Sequence, residues 1–531
     1  MIEEIYIENF KIFRSFKLSL NDDLNIIVGD NEAGKSTLLE AINFALTKKV
    51  GTRPIEYELS PYMFNKACAE SYLASLAKGQ NPDLPKILIE LYLADEPELQ
   101  ILRGSMNSQR KDSVGVKIEV VFNEDYKEEY AQLLQRRSEI RAVPVEYYNV
   151  HWYSFANNVV TTRSLPVKLS NIDATTIRLQ SGTDYYIQNI ISGILNTKQR
   201  VALTIAYRNL KEQFSEEQFI QEINNGLSEQ KGAITEKALA IGIDISQKSN
   251  WESNLVPHLD ELPFHLVGKG EQSALKVLLA LDRKDEGSHV VLIEEPENHL
   301  SFSSMSKLIS AIQKKCVGKQ IVIATHSAYV LNKLGIEKVI LLNEGQTFSL
   351  TKLPPDTQSY FRKLSGYDTL RLILAKRAIL VEGPSDELVV QKAYLLKHKK
   401  LPLEDGVDVI NVRGLSFSRF LDIAKELKKE VAVVTDNDGN YDKNVAAKYK
   451  QYDSVPTIKI CADKDEAANT LELQIAKINP VSLLNEVFGT KHSNEPELTE
   501  YMSKNKTECA LRIFDTKAVI KLPEYIQNAV Q

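Results

Sequence analysis

The sequence predicts an α/β protein built from two successive α/β units. Apolar strand-like runs separated by helical patterns predict a parallel sheet in the first unit, at 24–28, 290–293, 321–324 and 339–342. A second series of strand and helix patterns starts near residue 370, with strands at 378–381 and 431–434. A chain of 531 residues is also too long for a single core, so two or more domains are expected.

The order of the elements predicts the domain boundaries. We assign residues 1–184 and 246–350 to the first α/β unit and residues 370–531 to the second. The polar, proline-containing stretch 351–369 is the predicted linker. Residues 185–245 carry apolar side chains at helical spacing among many charged ones, which predicts an inserted helical segment. This segment is either a dimerisation arm or an ordinary helical subdomain.

Composition excludes several classes of protein. The 65 Lys and Arg residues are balanced by 71 Asp and Glu residues, so a nucleic-acid partner would require a local basic surface or metal ions. The four cysteines form no CxxC pair, which argues against a zinc ribbon or a disulfide framework. No apolar run is long enough to span a bilayer, and MIEEIYIENF does not resemble a signal peptide. We therefore expect a cytoplasmic protein without a membrane segment.

A phosphate-binding loop follows the first buried strand. The residues Gly29 to Ser36, GDNEAGKS, match G-x-x-x-x-G-K-[ST] between a strand and a helix. Glycines let the loop wrap around phosphates, whose oxygens accept from backbone N–H groups at the helix N-terminus. Lys35 is predicted to contact the β- and γ-phosphates of ATP and Ser36 to bind Mg²⁺. The remaining predicted nucleotide contacts are Gly29, Asn31, Gly34 and Thr37.

Two later strands end in residues suited to ATP hydrolysis. Glu294 and Glu295 follow the strand at 290–293; the first is predicted to hold Mg²⁺ and the second to act as a general base. The same residues also suit the N-terminus of a helix, and both interpretations can hold together. His326 follows the strand at 321–324 and is predicted to sense the γ-phosphate, with a structural role as the alternative.

The motifs GDNEAGKST, EEPENHL and ATHS, in this order, resemble the ABC ATPases of the SMC and RecF type. In that group two heads enclose ATP, and a signature loop of one head covers the nucleotide of the other. The best match to this loop contains Gly270 and Glu271, although GKGEQS departs from the usual LSGGQ. Glu294 stands where Asp is common. The resemblance implies that ATP binding drives formation of a homodimer.

Acidic residues also follow two strands of the second unit. Glu382 and Asp386 come after the strand at 378–381, and Asp436 and Asp438 come after the strand at 431–434. If these strands are neighbours in a parallel sheet, the four carboxylates converge at one edge and require divalent cations, with Mg²⁺ or Mn²⁺ favoured by oxygen ligands. A turn at the second pair and a helix cap at the first are the alternatives.

Together these acids resemble a Toprim domain, and an ABC-type head followed by Toprim resembles the OLD (overcoming lysogenization defect) nucleases, including Gabija-type and retron-associated ones. The resemblance implies an ATP-regulated DNA endonuclease in phage defence, acting as a homodimer or higher oligomer, with a partner protein or retron nucleic acid by analogy. It adds Glu472 as a metal ligand and Lys506, narrowly favoured over Lys504, as a catalytic lysine. A RecF-type DNA clamp without nuclease activity is the alternative.

Overall fold

The computed structural model describes residues 1–50, 53–162, 164–173, 179–180, 183–184, 195–228, 237, 239–244, 251, 256–282, 289–343, 345–363, 369–413 and 417–531. Its longer strands up to residue 350 are β1 (Ile2–Phe10), β2 (Phe13–Ser19), β3 (Leu24–Gly29), β4 (Ile87–Leu93), β5 (Ser113–Phe122), β6 (Tyr148–Ser154), β7 (Lys168–Asp173), β8 (His289–Glu294), β9 (Lys319–Ala324), β10 (Val339–Asn343) and β11 (Gln346–Ser349). The later strands are β12 (Arg377–Val381), β13 (Val407–Asn411), β14 (Glu430–Val434) and β15 (Ile458–Cys461).

The α-helices alternate with these strands along most of the chain. Those of the first unit are α1 (Lys35–Thr47), α2 (Lys66–Ala77), α3 (Lys127–Gln135), α4 (Thr197–Glu216), α5 (Gln218–Ser228), α6 (Lys269–Asp282), α7 (Phe302–Lys315) and α8 (Ala328–Leu334). They are followed by α9 (Pro355–Lys363), α10 (Thr369–Leu374), α11 (Pro384–His398), α12 (Phe417–Glu426), α13 (Leu471–Ile478), α14 (Val481–Phe488), α15 (Glu495–Lys504), α16 (Lys506–Asp515) and α17 (Glu524–Ala529). None of the described helices is both long and apolar enough to cross a membrane.

The two larger sheets described in the first unit both pack against the helix that follows the phosphate-binding loop. An antiparallel sheet has the order β2-β1-β4-β5-β6. The sequences LPKILIELYLA (84–94) and VGVKIEVVF (114–122), whose patterns also predict sheet strands, contain its central strands β4 and β5. The second sheet has the order β7-β8-β9-β3-β10-β11 and is parallel except at its last pair. All six residues of β3 are buried, as expected for a strand covered on both faces. The predicted parallel sheet is therefore confirmed.

The second unit is a four-stranded parallel sheet with the order β13-β12-β14-β15. One face packs in a hydrophobic cluster that continues into the parallel sheet of the first unit, from Leu24 of β3 through to Val433 of β14. The other face packs against α11, α13 and the C-terminal helices. Because apolar side chains of both units share one cluster, the two units form a continuous core.

The segment predicted as a linker is packed against the second unit. It contains helix α9, whose Phe361 is fully buried with its ring centroid 5.3 Å from that of Phe420. The buried Thr357 of the same helix bonds to Asp422 of α12. One aromatic contact and one hydrogen bond thus hold part of the predicted linker against the second unit. Residues 364–368 lie outside the described residues, as do parts of the predicted insertion 185–245, whose described part contains α4 and α5.

Candidate functional site

The phosphate-binding loop joins β3 to α1 and depends on Gly34. The φ angle of Gly34 is +101°, and a Cβ at this position would lie 2.7 Å from Phe13 Cζ. An L-residue is strained at such an angle, so glycine is required here for two independent reasons. Gly29, at the end of β3, has a similar constraint because an added Cβ would lie 2.6 Å from the backbone oxygen of Leu342.

Lys35 lies inside this loop rather than in solvent. Its side chain is buried, and Nζ donates to the backbone oxygens of Gly29 at 2.8 Å and Asp30 at 2.9 Å. Burial lowers the pKa of Lys35. The negative charges of Glu295 and other nearby acids favour the charged form of the lysine and oppose this effect only in part. Of the other predicted nucleotide contacts, Asn31 is exposed and Thr37 is half-buried in the first turn of α1. A cation thus stands at the N-terminus of α1, where phosphate is favoured.

The carboxyl end of β8 meets the phosphate-binding loop. The Ser36 hydroxyl donates to Glu294 Oε1, so the two predicted Mg²⁺ ligands of the first unit are in contact and are suited to share one ion. Glu295 follows with φ +46°, an angle that is uncommon for a residue with a side chain, and its N–H donates to Ala324 O of β9. His326 Nε2 lies 3.9 Å from Glu295 Oε1.

The segment after Glu295 is a turn and not the start of a helix. Helix α7 begins at Phe302, so the alternative interpretation of the Glu-Glu pair as a helix N-terminus is wrong. The Asn298 side chain instead donates to Glu295 Oε2, and the Asn298 N–H donates to Glu295 O. These bonds stabilise the unusual backbone angle and orient the carboxylate predicted to act as a base.

Glu297 is a residue of this site whose role the sequence analysis missed. Its Oε1 accepts from the Thr325 hydroxyl at 2.7 Å and from the His326 N–H at 2.9 Å. One carboxylate therefore connects the loop after β8 to the loop after β9. The third acid of EEPENHL was the available signal, but the interpretation of this residue as part of a helical turn obscured it.

The predicted signature residues lie at the start of α6. Gly270 is buried against the loop after β8, where an added Cβ would lie 2.2 Å from the backbone oxygen of His299. Glu271 is exposed in the first turn of the helix. Gly270 is thus required for packing within its own subunit. A role of these two residues at the nucleotide of a second subunit stays a prediction.

The second cluster forms at the carboxyl edge of the four-stranded sheet. Because β12 and β14 are parallel neighbours, Glu382 and Asp436 emerge side by side. Glu382 Oε1 accepts from the Thr435 hydroxyl and, at 3.3 Å, from the Asp436 N–H. Asp386, in the first turn of α11, accepts from the Gly383 N–H at 3.1 Å, and Glu472 of α13 is buried. Four of the five predicted ligands are therefore brought to one edge.

Burial and mutual repulsion make this cluster electrostatically unfavourable when its acids are ionised. Burial, followed by the charges of Asp386, Glu382 and Glu472, raises the pKa of Asp436 to about 8. Burial, followed by Glu382 and Glu472, raises the pKa of Asp386 to about 7. Divalent cations relieve such repulsion, and carboxylate oxygens are the ligands that Mg²⁺ and Mn²⁺ prefer. The donor set therefore fits these ions.

The carboxylates of the cluster do not all point to one centre. In the described part of the chain, no three acidic, histidine or cysteine side chains converge closely enough to enclose a single ion. Each of Glu382, Asp386 and Glu472 instead has a protein donor or cation beside it. The fifth predicted ligand, Asp438, is exposed and has a φ angle of +48°. Ion binding would thus require the side chains to exchange these partners.

Asn437, between the two acids of the loop after β14, holds that loop in place. It is fully buried, and its amide donates to the backbone oxygens of Asp463 and Asp465, both at 2.9 Å. Its side-chain oxygen accepts from the Gly439 N–H at 2.8 Å. An asparagine between two acids is common in turns, so the sequence alone does not indicate this role, which the burial of Asn437 reveals.

The structure separates the two candidate lysines. Lys506, at the start of α16, places Nζ 3.2 Å from Glu472 Oε2, next to the acidic cluster. Lys504, at the end of α15, pairs with Glu500 one turn earlier, and both side chains are exposed. A half-exposed cation is therefore available beside the cluster at Lys506.

Two family models match separate parts of the chain. The family model described as AAA ATPase domain matches residues 1–331, and the model described as overcoming lysogenization defect protein-like, TOPRIM domain, matches residues 373–438. The second match includes Glu382, Asp386, Asp436 and Asp438. These matches confirm the predicted fold class of an α/β ATPase head followed by a C-terminal Toprim domain with a parallel sheet.

Individual relatives are distant. The chain is 21% identical over 461 residues to "Endonuclease GajA" of Bacillus cereus (strain VD045), covering 82% of this chain and 74% of that protein. It is 21% identical over 444 residues to "Retron Vc95 probable ATPase" of Vibrio cholerae serotype O1 biovar El Tor, covering 74% and 82%. A solved structure of the recombination mediator protein RecF with ATP aligns with a TM-score of 0.34 and 14% identity, over 66% of this chain and 98% of that one.

Proposed function

We propose that this chain, which belongs to the AAA ATPase domain family matched by its residues 1–331, is a DNA endonuclease. The proposed enzyme depends on divalent metal ions and is regulated by ATP. The observation that carries the proposal is the cluster of Glu382, Asp386, Asp436 and Glu472 at one sheet edge. Ionised acids this close destabilise a fold, so a cluster of this kind indicates a cation site. The similarity to a protein named as an endonuclease supports hydrolysis of a phosphodiester as the reaction.

The proposed nuclease chemistry assigns a role to each side chain of the Toprim edge. Glu382, Asp386, Asp436 and Glu472 would hold Mg²⁺ or Mn²⁺, with Asp438 joining from the exposed side of the loop. When bound, such ions supply charge compensation and a Lewis acid for phosphodiester hydrolysis. Lys506 contributes a positive charge beside Glu472, suited to offset the charge that develops on the phosphate oxygens.

The proposed ATPase chemistry uses the loop ends of β3, β8 and β9. Lys35 would bind the phosphates of ATP, while Ser36 and Glu294 would hold its Mg²⁺. Glu295 would accept a proton from the attacking water, and His326 would sense the γ-phosphate. Glu297 orients His326 by accepting its backbone N–H.

The proposed regulation follows from the shared core of the two units. The hydrophobic cluster that contains residues of β3 and β8 of the ATPase sheet also contains residues of β14, the strand that leads to Asp436. A nucleotide-dependent movement of the ATPase loops is therefore transmitted to packed side chains of the Toprim sheet. In this proposal two copies form a homodimer or higher oligomer, with Gly270 and Glu271 facing the partner's ATP. The resemblance to OLD nucleases further implies a role in phage defence, together with a partner protein or nucleic acid.

The experiment that tests this function is cleavage of supercoiled plasmid by the purified protein. Reactions contain Mg²⁺ or Mn²⁺, with and without ATP, and are repeated with Asp436→Ala and Lys35→Ala. We expect metal-dependent nicking or linearisation of the plasmid. Asp436→Ala should abolish this cleavage, and Lys35→Ala should remove its dependence on ATP. Intact ATP hydrolysis and DNA binding without cleavage in any condition would refute the nuclease and favour the DNA clamp.

A further inference from the structure

The C-terminal helix α17 is fixed on one face of the Toprim sheet. It packs against β14, β15 and α11, the elements that carry or flank the acidic cluster. The Arg377 guanidinium, at the start of β12, donates to Ala529 O at 2.7 Å and to Gln531 O. Lys459 of β15 donates to Asn528 O at 2.8 Å. Hydrogen bonds from side chains on two strands therefore hold α17 in place on the sheet.

Tyr525, in the first turn of α17, has a hydroxyl without a visible purpose in the packing. Its side chain is 5% exposed, and its Oη has no hydrogen-bond partner among the residues that the structure describes. Burying an unpaired hydroxyl destabilises the folded protein, and phenylalanine at this position would avoid that loss. Two other buried tyrosines of the same unit are bonded, since Tyr394 donates to Asp405 at 2.8 Å and Tyr452 donates to Asp422 at 2.9 Å. The buried Tyr449 hydroxyl, like that of Tyr525, has no partner among the described residues.

The charges that act on this hydroxyl include those of acids in the cluster. Burial, followed by the charges of Asp436 and Asp386, raises the pKa of Tyr525 well above its usual value. The phenol thus remains a protonated donor at every physiological pH. The Tyr525 hydroxyl is therefore a buried donor without an acceptor among the described residues, on a helix that packs against β14, the strand that leads to Asp436.

We propose that Tyr525 is a positioning residue of the metal site, whose hydroxyl donates a hydrogen bond to Asp436, directly or through one water, when a divalent cation occupies the edge. This donation orients the carboxylate toward the ion and restrains its rotation, as outer hydrogen bonds do for ligands in other metal sites. The inference rests on the proposed function, because it takes the Toprim edge to be a cation site.

The test measures metal binding rather than cleavage. Full-length wild-type protein, Tyr525→Phe and Asp436→Asn are titrated with Mn²⁺ without nucleotide, and free Mn²⁺ is followed by electron paramagnetic resonance. Removing a hydrogen bond to a metal-ligating side chain weakens metal binding by roughly 10–100-fold. We therefore expect the Kd of Tyr525→Phe for Mn²⁺ to be at least about 10-fold higher than that of the wild type. The melting temperature of the metal-free variant should equal or exceed that of the wild type, since an unpaired hydroxyl is removed.

The matched control is Tyr394→Phe, which deletes the same atom from a buried tyrosine of the same unit. This variant loses a bond to Asp405, so it should melt at a lower temperature while its Mn²⁺ affinity stays at the wild-type value. Wild-type affinity in Tyr525→Phe would overturn the inference and leave the metal site intact. Equal Mn²⁺ binding by the wild type and Asp436→Asn would instead overturn the proposed metal site, and this inference with it.

Discussion

Replacing Asp386 by asparagine tests whether like charges strain the Toprim edge. The side chain is partly buried at the first turn of α11, and asparagine keeps an oxygen that accepts from the Gly383 N–H. The substitution therefore removes a charge with little change in shape. In the metal-free protein we expect Asp386→Asn to be more stable than the wild type above neutral pH.

The magnitude follows from the pKa of Asp386, which rises from 3.8 to about 7. A rise of roughly three pKa units corresponds to about 4 kcal/mol as an upper limit, at about 1.4 kcal/mol per unit. Because Asp386 shares its repulsion with Asp436 and is partly exposed, we expect about 1–3 kcal/mol. The folded-state pKa is the higher one, so this destabilisation is absent below about pH 4, grows up to about pH 7, and is complete at higher pH.

The assay is differential scanning fluorimetry of EDTA-treated protein at about pH 5 and about pH 8, with and without added Mg²⁺. The wild type should lose stability relative to Asp386→Asn between these two pH values, and Mg²⁺ should restore it only in the wild type. Asp453→Asn, at an exposed position of the same unit, controls for net charge. Identical pH dependence of the melting temperature in the wild type and Asp386→Asn would refute the electrostatic reasoning.

Three further substitutions probe the remaining contacts. Gly270→Ala should destabilise the protein by about 1–3 kcal/mol in thermal unfolding because its Cβ would overlap a backbone oxygen at 2.2 Å, whereas Gly268→Ala, with no atom within 4 Å, should be neutral. Glu297→Ala should lower kcat for ATP hydrolysis by roughly 10–100-fold with unchanged nucleotide affinity, since it misplaces the sensor loop; weaker ATP binding would contradict this assignment. Lys506→Ala should reduce plasmid cleavage by at least about 100-fold while Lys504→Ala retains it, and equal losses would count against the assignment.

Features encoded in a few consecutive residues were predictable. The phosphate-binding loop from Gly29 to Ser36 and the acids after β8, β12 and β14 are recognised because a strand, a turn and a functional group occur together within about ten residues. Strand periodicity likewise predicted β4 and β5 of the antiparallel sheet. Such patterns are local, and local geometry follows from residue type and spacing.

Features that depend on how distant segments pack required the tertiary structure. Spacing could not reveal that Glu297 accepts from the loop after β9, because sheet order decides which loops are neighbours. The packed state of the linker likewise depends on the surface that receives Phe361.

The amino-acid sequence by itself determined that this chain has a nucleotide loop and a cluster of acids, since both chemistries are encoded in short motifs. Only the tertiary structure selected Lys506 over Lys504 as the neighbour of Glu472. It also revealed that the buried Tyr525 hydroxyl has no partner among the described residues, on a helix that packs against β14. The physical reason is that burial and repulsion act through space: a side chain acquires its partners, and its pKa, from whichever segments the fold places around it.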